Sequence, residues 1–439
     1  MSNRLSSRAG SSVQTSATKL SARPPAEGSS LRLGPRHTRI DDPRAEGGEQ
    51  PSQSTKIALI INDDFSMHHF RGELIRSLVA RGYDVSVIVP SGEYGEKLAG
   101  LGARCHCVEM YRFSSPLKDL RLLFDFYRLF RRERFDLVHN MTIKPNIYGT
   151  IAARAAGIRN VVCLVSGLGL VFSDVRGLRV RALRFVSSWL YWGALKLARR
   201  TWFQNPDDRD RFVDLGLIAP EKAVVIRSGG INLEEFSANS VSDVSLQELR
   251  DEIGVPGEAR CVVMVTARLV WSKGVREFFE AARLLEARLP GWTFVMLCPR
   301  DEASWESVPE EYVANHRPGN LVLIDSFRKD VKRFVALADV VALPSFYPEG
   351  VPRTLLEALA MSKPIVTTDH PGCREAVDDG ENGFLVPTRD QGALADRIEE
   401  LADSETLRGK FGTASRQKCE NEFSSEIVVN RIIKEIYSL

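Results

Sequence analysis

The sequence predicts an α/β protein made of two doubly wound halves, each with a parallel sheet covered by helices. Three observations predict this class. Short β-rich apolar runs alternate with segments of helical spacing. The alternation starts near residue 55, stops near residue 237 and restarts near residue 260. The 439 residues, 44% of them hydrophobic, are enough for two folded units of this kind.

The composition excludes several classes of protein. Residues 1–54 are rich in Ser, Arg, Gly and Pro without apolar periodicity, so we expect a disordered tail and favour a bacterial tail over an organelle transit peptide. The longest apolar run, residues 161–172, is shorter than the ~20 residues of a membrane span, and a secretory signal is not predicted. Seven cysteines, an odd number without a CxxC pair, indicate a reducing compartment and no structural metal.

The first half spans residues 55–236. Its strands are expected at residues 56–61, 84–89, 136–139 and 161–165. Its helices are expected at residues 69–81, 117–134 and 146–157. Because helices lie between the strands, the strands should pair in parallel rather than as hairpins.

A polar, acidic connector without a strand pattern follows at residues 237–259, and the second half spans residues 260–423. Its strands are expected at residues 261–267, 292–297, 321–324, 340–343 and 364–368, with a helix at 274–288. A last helix is expected within residues 424–439. The second half is complete without this helix, so the helix could cross back onto the first half. Doubly wound sheets bind ligands at the carboxyl ends of their strands, so two facing halves predict a cleft.

The most informative segment, residues 344–387, contains Glu349 and Glu357 with seven residues between them. A Gly-Val-Pro turn follows Glu349, and a helix is expected to begin near Arg353. Glu349 would then lie in a loop at the end of a strand, and Glu357 about one turn inside the helix. The start of that helix offers free N–H groups to a phosphate.

This segment resembles glycosyltransferase family 4. The resemblance depends on the E-x7-E spacing, the flanking LPS…EG.P..LLEALA and the trailing P-G-C-R-E and D-G-E-N-G-F-L-V-P. Several anchors in fixed order are specific, whereas two glutamates at this spacing alone would not be. The resemblance implies a GT-B fold, in which two Rossmann-like domains enclose a nucleotide-sugar cleft.

Arg268 and Lys273 match a second element of the family, an R…K-G sequence that binds the donor diphosphate. Both cations follow a predicted buried strand and precede a helix. Negative charge builds up on the diphosphate as the sugar departs, so two fixed cations would stabilise the transition state. The resemblance therefore implies that Arg268 and Lys273 act on the donor diphosphate.

The resemblance also implies roles for the two glutamates. Glu357 would accept hydrogen bonds from the ribose hydroxyls, and Glu349 would hold a donor-sugar hydroxyl and steady positive charge at the anomeric carbon. The backbone between and beside them would contact sugar and phosphate at the remaining donor-binding residues: Gly350, Val351, Pro352, Thr354 and Leu355. Glu375 matches the acid of the family's G-G-x-x-E, but Pro371 replaces the first glycine and puts that loop's backbone contacts in question.

The first half departs from the family in one loop and matches a subgroup in another. Bulky residues at 62–69 replace the family's glycine pair, which predicts a differently shaped acceptor pocket. Residues 138–158 (VHNMTIKPNIYGTIAARAAGI) resemble the subgroup that extends sugars on bacterial polyprenyl-diphosphate carriers. That resemblance makes Lys144 a candidate cation for the carrier diphosphate and His139 a candidate acceptor-binding residue. A purely structural His139 remains the alternative.

The charge distribution favours an acceptor at a membrane. Residues 112–200 contain 17 Lys or Arg against five Asp or Glu, although the formal net charge of the whole chain is only +2. Residues 117–134 and 178–200 mix arginines with aromatic and aliphatic residues, as interfacial helices do. The alternative is that their apolar faces are ordinary core and their arginines are solvated. Nucleic-acid binding is not expected, because the cleft motifs already account for phosphate recognition.

The sequence therefore predicts a retaining transfer of a hexose or N-acetylhexosamine from a nucleotide donor, with UDP favoured, to a lipid-diphosphate-linked sugar. We expect a peripheral protein at the cytoplasmic face of the bacterial inner membrane. Asp208-Arg209-Asp210 is interpreted as the acidic first turn of a helix, so no metal and no other cofactor are expected. The alternatives are a nucleotide-sugar 2-epimerase, a family 4 transferase with a soluble acceptor, and a non-catalytic binding subunit of a glycan-assembly complex.

Overall fold

The structure, a computed structural model, describes residues 54–111, 116–167, 178–266, 268–302 and 304–439. Within these ranges, the side chains of residue 116 and of residues 178–187 are not described. The predicted disordered tail, residues 1–54, lies outside the described residues except for its last position.

The first sheet contains seven strands in the described residues, all paired in parallel in the order β3-β2-β1-β4-β5-β6-β7. They are β1 (Lys56–Ile60), β2 (Asp84–Val89), β3 (Arg104–Cys107), β4 (Leu137–Met141), β5 (Asn160–Val165), β6 (Arg200–Phe203) and β7 (Ala223–Val225). Successive residues of a strand point to opposite faces. Accordingly, Ile57 and Leu59 pack into one core, whereas Ala58 and Ile60 pack into another.

The second sheet contains six parallel strands in the order β10-β9-β8-β11-β12-β13. They are β8 (Arg260–Val265), β9 (Trp292–Leu297), β10 (Leu321–Ile324), β11 (Val340–Leu343), β12 (Ile365–Thr368) and β13 (Gly383–Val386). In both sheets the strand order reverses direction beside the first strand of the half, which is the doubly wound pattern. The predicted fold class is therefore confirmed.

Helices connect the strands of both sheets. In the first half they are α1 (Asp64–Ala80), α2 (Gly95–Gly100), α3 (Pro116–Glu133), α4 (Thr150–Ala155), α5 (Leu178–Leu197) and α6 (Pro206–Asp214). In the rest of the chain they are α7 (Asp243–Ile253), α8 (Val275–Leu285), α9 (Glu310–His316), α10 (Val331–Leu337), α11 (Arg353–Ala360), α12 (Gln391–Asp403), α13 (Glu405–Lys418) and α14 (Ser425–Arg431). None of the helices in the described residues is long and apolar enough to cross a membrane.

Several elements differ from the sequence prediction for identifiable reasons. The strands β3, β6, β7 and β13 were not predicted. Strand β3 carries mostly exposed side chains, and β7 has only three residues, all half-buried. Helix α1 begins five residues before the predicted position. Asp63 caps it there, with its carboxylate accepting from Ser66 N at 2.6 Å. The predicted connector contains α7. Most of the residues of α7 are polar, so the sequence showed no clear stripe of apolar residues at helical spacing.

The chain passes between the halves at two adjacent places. Ile231 N donates to Phe423 O, and Ser425 N donates to Ile231 O, both at 2.9 Å. Beyond this crossing, α14 and the helical turns Ile432–Tyr437 pack into the core of the first half. Tyr437 lies there fully buried, and these turns contact β5 and β6, so the end of the chain completes the first half.

Removal of the Tyr437 hydroxyl should destabilise the first half. The hydroxyl lies 2.8 Å from His139 Nδ1, and His139 Nε2 is buried without a partner. The Tyr437→Phe variant would leave the imidazole without a hydrogen bond, so we expect a loss of about 1–3 kcal/mol in the free energy of unfolding, measured with urea. Tyr127→Phe, on the partly buried side of α3, is the matched control. Equal stability of the two variants would contradict the prediction.

Candidate active site

The candidate active site lies at the carboxyl edge of the second sheet, where two loops meet. The loop after β8 carries Arg268 and Lys273, and the loop after β11 carries Glu349. Strands β8 and β11 are parallel neighbours. Parallel strands end at the same edge, so these loops come together although they are far apart in the sequence.

Lys273 and Glu349 form an ion pair that joins the two loops. The Lys273 ammonium donates to Glu349 Oε1. Lys273 is buried, with 7% of its surface exposed, and a buried charge without a partner would cost several kcal/mol. The ammonium has three N–H donors, so two others remain for further acceptors.

Tyr347 lies between the two predicted cations. The Arg268 guanidinium and the Lys273 ammonium each lie 5.1 Å from the centre of its ring, within the ~6 Å range of cation–π attraction. Arg268 Nη1 also lies 3.5 Å from Asp301 Oδ2. Arg268 and Lys273 thus meet at one aromatic ring, and Glu349 joins them through its ion pair with Lys273. We call these three residues and Tyr347 the Tyr347 cluster.

Glu357 lies one turn into α11, at a second point of the same edge. Arg353 Nε donates to its Oε1 at 3.2 Å. Burial raises the pKa of the Glu357 carboxyl, and the neighbouring Arg353 acts in the opposite direction. The Thr354 hydroxyl anchors the start of α11 by donating to the Val265 carbonyl at the end of β8, at 2.9 Å.

A cavity of about 980 Å³ lies between the halves beside Glu357. Its second-half wall combines the polar groups of Arg353 and Glu357 with apolar surface from Leu297 and Phe327. Small-molecule sites typically have ~300–1,000 Å³ and this mixture of apolar and polar walls. The Tyr347 cluster is not part of this wall. The four predicted residues therefore lie at two neighbouring points on the carboxyl edge of the second sheet. Of the four, only Glu357 faces the cavity.

The first-half wall of the cavity contains a group of aromatic rings. The Phe65 ring centre lies 4.3 Å from that of His69, 5.5 Å from that of Tyr94 and 6.0 Å from that of Phe327 in the second half. Burial is the main factor that lowers the pKa of His69 to about 4, so its ring is neutral at pH 7. Phe65 and His69 lie in the first turns of α1, within the segment that lacks the family's glycine pair, whereas Tyr94 is the N-cap residue of α2.

Two of the predicted backbone donors are already engaged within the protein. Gly350 N donates to Ser166 O at 2.7 Å, and Leu355 N donates to Pro352 O at 3.1 Å. Pro352 is the N-cap residue of α11 and has no N–H group, and Val351 is buried. The observed arrangement therefore argues against direct sugar or phosphate contacts by the amides of Gly350 and Leu355.

The two predicted acceptor-binding residues lie in different surroundings. His139 is fully buried in the middle of β4, and burial lowers its pKa to about 3. This position argues against contact with an acceptor and favours the structural alternative. Lys144 lies just beyond β4, where its Nζ donates to Asp119 Oδ1 of α3 at 2.6 Å. Its role at a carrier diphosphate stays a prediction.

The D-x-D sequence lies at the start of α6. Asn205 is the N-cap residue, and its Oδ1 accepts from Asp208 N at 2.7 Å. Within the described part of the chain, no group of three or more His, Cys, Asp or Glu residues could hold a metal ion. Burial is the main factor that raises the pKa of the Cys373 thiol to about 11, so this cysteine stays protonated at neutral pH.

The sequence analysis missed several contacts that cross between the halves beside the site. They are Asp207 with Arg374 at 3.0 Å, Arg227 with Glu375 at 2.6 Å, and Asn205 Nδ2 with the Glu349 carbonyl at 3.3 Å. The only local signal was Asn205-Pro206, which predicts a helix start. Glu375, the acid that matches the family motif, is thus held by an arginine of the other half.

Both halves match known protein families. Residues 67–229 match the glycosyl transferase 4-like domain. Residues 247–418 match the glycosyl transferases group 1. The second match contains the Tyr347 cluster and Glu357, and the first contains Asn205 and Arg227.

Two curated relatives are similar over most of the chain. The N,N'-diacetylbacillosaminyl-diphospho-undecaprenol alpha-1,3-N-acetylgalactosaminyltransferase of Campylobacter jejuni is 31% identical over 384 residues, which are 86% of this chain and 97% of the relative. The UDP-Gal:alpha-D-GlcNAc-diphosphoundecaprenol alpha-1,3-galactosyltransferase of Escherichia coli is 27% identical over 327 residues, 74% of this chain and 80% of the relative.

Solved structures share the fold. A glycosyltransferase from Rickettsia africae has a TM-score of 0.72 at 19% identity and covers 88% of this chain and 98% of its own. The Anabaena protein HepE, solved in complex with UDP and glucose, has a TM-score of 0.72 at 19% identity, with 88% and 100% covered. At this identity the similarity concerns the GT-B fold alone.

Proposed function

This chain is a glycosyltransferase and belongs to glycosyltransferase family 4, and from that premise we propose that it transfers a hexose or N-acetylhexosamine, with retention, from a UDP-sugar to a lipid-diphosphate-linked sugar. The observation that carries the donor part of the proposal is the Tyr347 cluster, in which two cations and one carboxylate meet at the carboxyl edge of the second sheet.

The Tyr347 cluster has the charges that a departing diphosphate requires. Arg268 and Lys273 would bind the diphosphate oxygens, whose negative charge increases as the sugar leaves. Lys273 can do so while it holds Glu349, because it has further N–H donors. Glu349 is thereby fixed beside the diphosphate, where its carboxylate can bind a sugar hydroxyl and steady the positive charge at the anomeric carbon.

The cavity beside Glu357 suits the nucleoside. The two Glu357 oxygens would accept hydrogen bonds from the ribose hydroxyls, with Arg353 holding the carboxylate in position. Leu297 and Phe327 supply an apolar wall for the planar base. A uracil nucleotide is the favoured donor, because HepE was solved with UDP and the Escherichia coli relative is named for a UDP-sugar.

The chemical step follows the family's usual account of attack on the same face of the sugar. The bond between the anomeric carbon and the diphosphate oxygen breaks, and the acceptor oxygen forms a bond from the side the diphosphate leaves. The acceptor proton passes to the departing phosphate, so no separate enzymic base is assigned. The protein contributes orientation and fixed charge, which is how enzymes stabilise such transition states.

The lipid-diphosphate acceptor is favoured by the names of both curated relatives, which describe transfer to diphosphoundecaprenol-linked sugars. Lys144 is the candidate cation for the acceptor diphosphate. Asp119 of α3 holds its ammonium at 2.6 Å, so the position of Lys144 is coupled to that helix. An acceptor bound near Lys144 would thus lie next to the surface of α3.

The exposed sides of α3 and α5 form a candidate membrane surface. Helix α4 packs against both, and all three helices cover the same face of the first sheet. Leu117 and Phe124 on α3 are 82% and 55% exposed, and Trp189 on α5 is 58% exposed. Exposed basic side chains accompany them on both helices: Lys118, Arg121, Arg128 and Lys196.

This α3–α5 surface combines apolar anchors with positive charge, as proteins that bind anionic bilayers do. The inner sides of the same helices are ordinary core, with Phe126 and Leu195 fully buried. The sequence left two alternatives for these helices, ordinary core or a membrane surface. The inner side of each helix is core, and the outer side is the candidate membrane surface. The proposed location is the cytoplasmic face of the bacterial inner membrane.

The proposal predicts that label from a UDP-sugar enters a lipid. Bacterial membranes incubated with the protein and a panel of labelled nucleotide sugars should yield label in the organic phase with a UDP-hexose or UDP-N-acetylhexosamine. Arg268→Ala, which removes a diphosphate cation, should lower kcat roughly 10²–10³-fold. Label that appears only in water-soluble products would favour a soluble acceptor, and wild-type turnover by Arg268→Ala would contradict the diphosphate assignment.

Substitution of Glu357 should weaken donor binding more than it slows the chemical step. Glu357→Gln keeps the shape but replaces one ribose acceptor with a donor, so we expect about a tenfold rise in the donor KM, equivalent to ~1.4 kcal/mol, with kcat changed less. Initial rates over a range of UDP-sugar concentrations measure both. Glu280→Gln, which removes a surface carboxylate on α8, is the control and should leave KM unchanged.

Loss of positive charge from α3 should weaken binding to anionic vesicles. Each basic residue near an anionic bilayer contributes about 1 kcal/mol, so Arg121→Gln with Arg128→Gln should weaken binding at least tenfold. Co-sedimentation with vesicles of phosphatidylglycerol and phosphatidylethanolamine measures it. The pair Arg283→Gln and Arg397→Gln removes the same charge from the second half. Equal binding by the two double variants would refute docking through α3.

A further inference from the structure

The loop that carries Glu349 is held by the opposite half of the molecule. Ser166 O accepts from Gly350 N at 2.7 Å, and Asn205 Nδ2 donates to the Glu349 carbonyl at 3.3 Å. Gly167 lies against the same peptide, with φ +141°, and a Cβ atom there would stand 2.7 Å from Glu349 Cα. Residues from the ends of β5 and β6 therefore contact the backbone of Glu349 and Gly350 directly.

Asn205 is itself fixed at both ends of its amide. Its Oδ1 accepts from Asp208 N at 2.7 Å, which caps α6, and its Nδ2 donates to Asp208 Oδ2 at 3.0 Å. The second hydrogen of Nδ2 is the one directed to the Glu349 carbonyl. Asn205 is fully buried and Asp208 nearly so. The amide cannot turn away without leaving buried polar groups unpaired, which costs about 1–3 kcal/mol per group.

The Glu349 loop is thus held from two sides. The first half fixes its backbone through Asn205 and Ser166, and the second half fixes its carboxylate through Lys273. The ion pairs of Asp207 with Arg374 and of Arg227 with Glu375 cross the same boundary on either side of this loop. The contact is therefore part of a polar interface between the halves rather than an isolated hydrogen bond.

We propose that Asn205 is a positioning residue for Glu349: its amide keeps the Glu349 loop in register with the Tyr347 cluster, so that the half that carries Lys144 controls the carboxylate that acts on the donor sugar. This inference rests on the proposed role of Glu349. Glu349 is in place only while the halves are apposed, which couples closure of the cleft to the chemical step. A displacement of about 1 Å in such a group can lower a rate 10²-fold.

The test separates the two hydrogen-bonding roles of Asn205, which are the N-cap of α6 and the donor to the Glu349 carbonyl. Serine is also a good N-cap residue, so Asn205→Ser keeps the cap of α6 but removes the donor to the Glu349 carbonyl. We expect kcat to fall at least tenfold, with the donor KM and the Kd of UDP within twofold of wild type, because Glu357 and its cavity are untouched. The thermal midpoint should stay near that of wild type. Ser404→Ala, which removes the N-cap of α13, is the control for a lost cap and should not lower kcat.

A double-mutant cycle shows whether Asn205 acts through Glu349. In the Glu349→Gln background, Asn205→Ser should have almost no further effect on kcat, since coupled residues are not additive. Full additivity, or wild-type kcat in Asn205→Ser while Glu349→Gln is impaired, would overturn this inference and leave the proposed function intact. Wild-type turnover by Glu349→Gln would instead overturn the proposed role of Glu349 and the inference with it. If Asn205→Ser does not fold, Gly167→Ala, which presses on the same loop from the other side, should give the same pattern of kcat and KM.

Discussion

The ion pair of Lys273 and Glu349 is the interaction on which the rest of the site depends. It connects the loop after β8 with the loop after β11, and it holds a cation and an anion within one small volume at the edge of a parallel sheet. The Lys273 ammonium depends on this pairing, because a buried ion without a partner costs several kcal/mol. Tyr347 places Arg268 beside the same pair, so the cluster has an excess positive charge on the side where a diphosphate is proposed to bind.

The positions of the motif residues could be predicted from the sequence, because each group follows directly after a strand. Arg268 and Lys273 follow one strand, and Glu349 and Glu357 follow another, so topology alone brings both groups to one edge. Tyr347 and Arg353 lie within or next to the same motif but were not singled out, since their roles depend on distances across space. Asn205 and Arg227 could not be found at all: each acts on a residue more than a hundred positions away, and a single sequence contains no record of that pairing. For His139 the sequence left two alternatives open, because a strand-end histidine near a family motif is indistinguishable in sequence from a core histidine.

The basic helices show why amphipathic sequence alone left two alternatives open. In α3, Phe126 and Phe130 are buried while Leu117, Leu120 and Phe124 are exposed, so apolar residues occupy both sides of one helix. A Rossmann helix needs only the inner stripe to pack on its sheet. Packing on the sheet therefore does not require the outer stripe. Exposed leucine and phenylalanine next to arginine are typical of a surface that binds a partner or a membrane. Helix α5 repeats this division, with Leu195 inside and Trp189 and Trp192 outside.

The two halves contribute different groups to the candidate site and to the contacts across the cleft. The second half supplies the charged residues predicted from the sequence, whereas the first half adds aromatic rings around Phe65 and His69 to the cavity, together with the charged side chains of Glu73, Arg76 and Lys97. His69 is kept neutral by burial, so the positive charges of the first-half wall are those of Arg76 and Lys97. Asn205 and Ser166 also hold the Glu349 loop, and Arg227 pairs with Glu375, so the first half contacts the candidate donor site through neutral and charged groups. A change in the first half can therefore alter how well Glu349 is placed, while Arg268 and Lys273 stay in a loop that belongs to the second half.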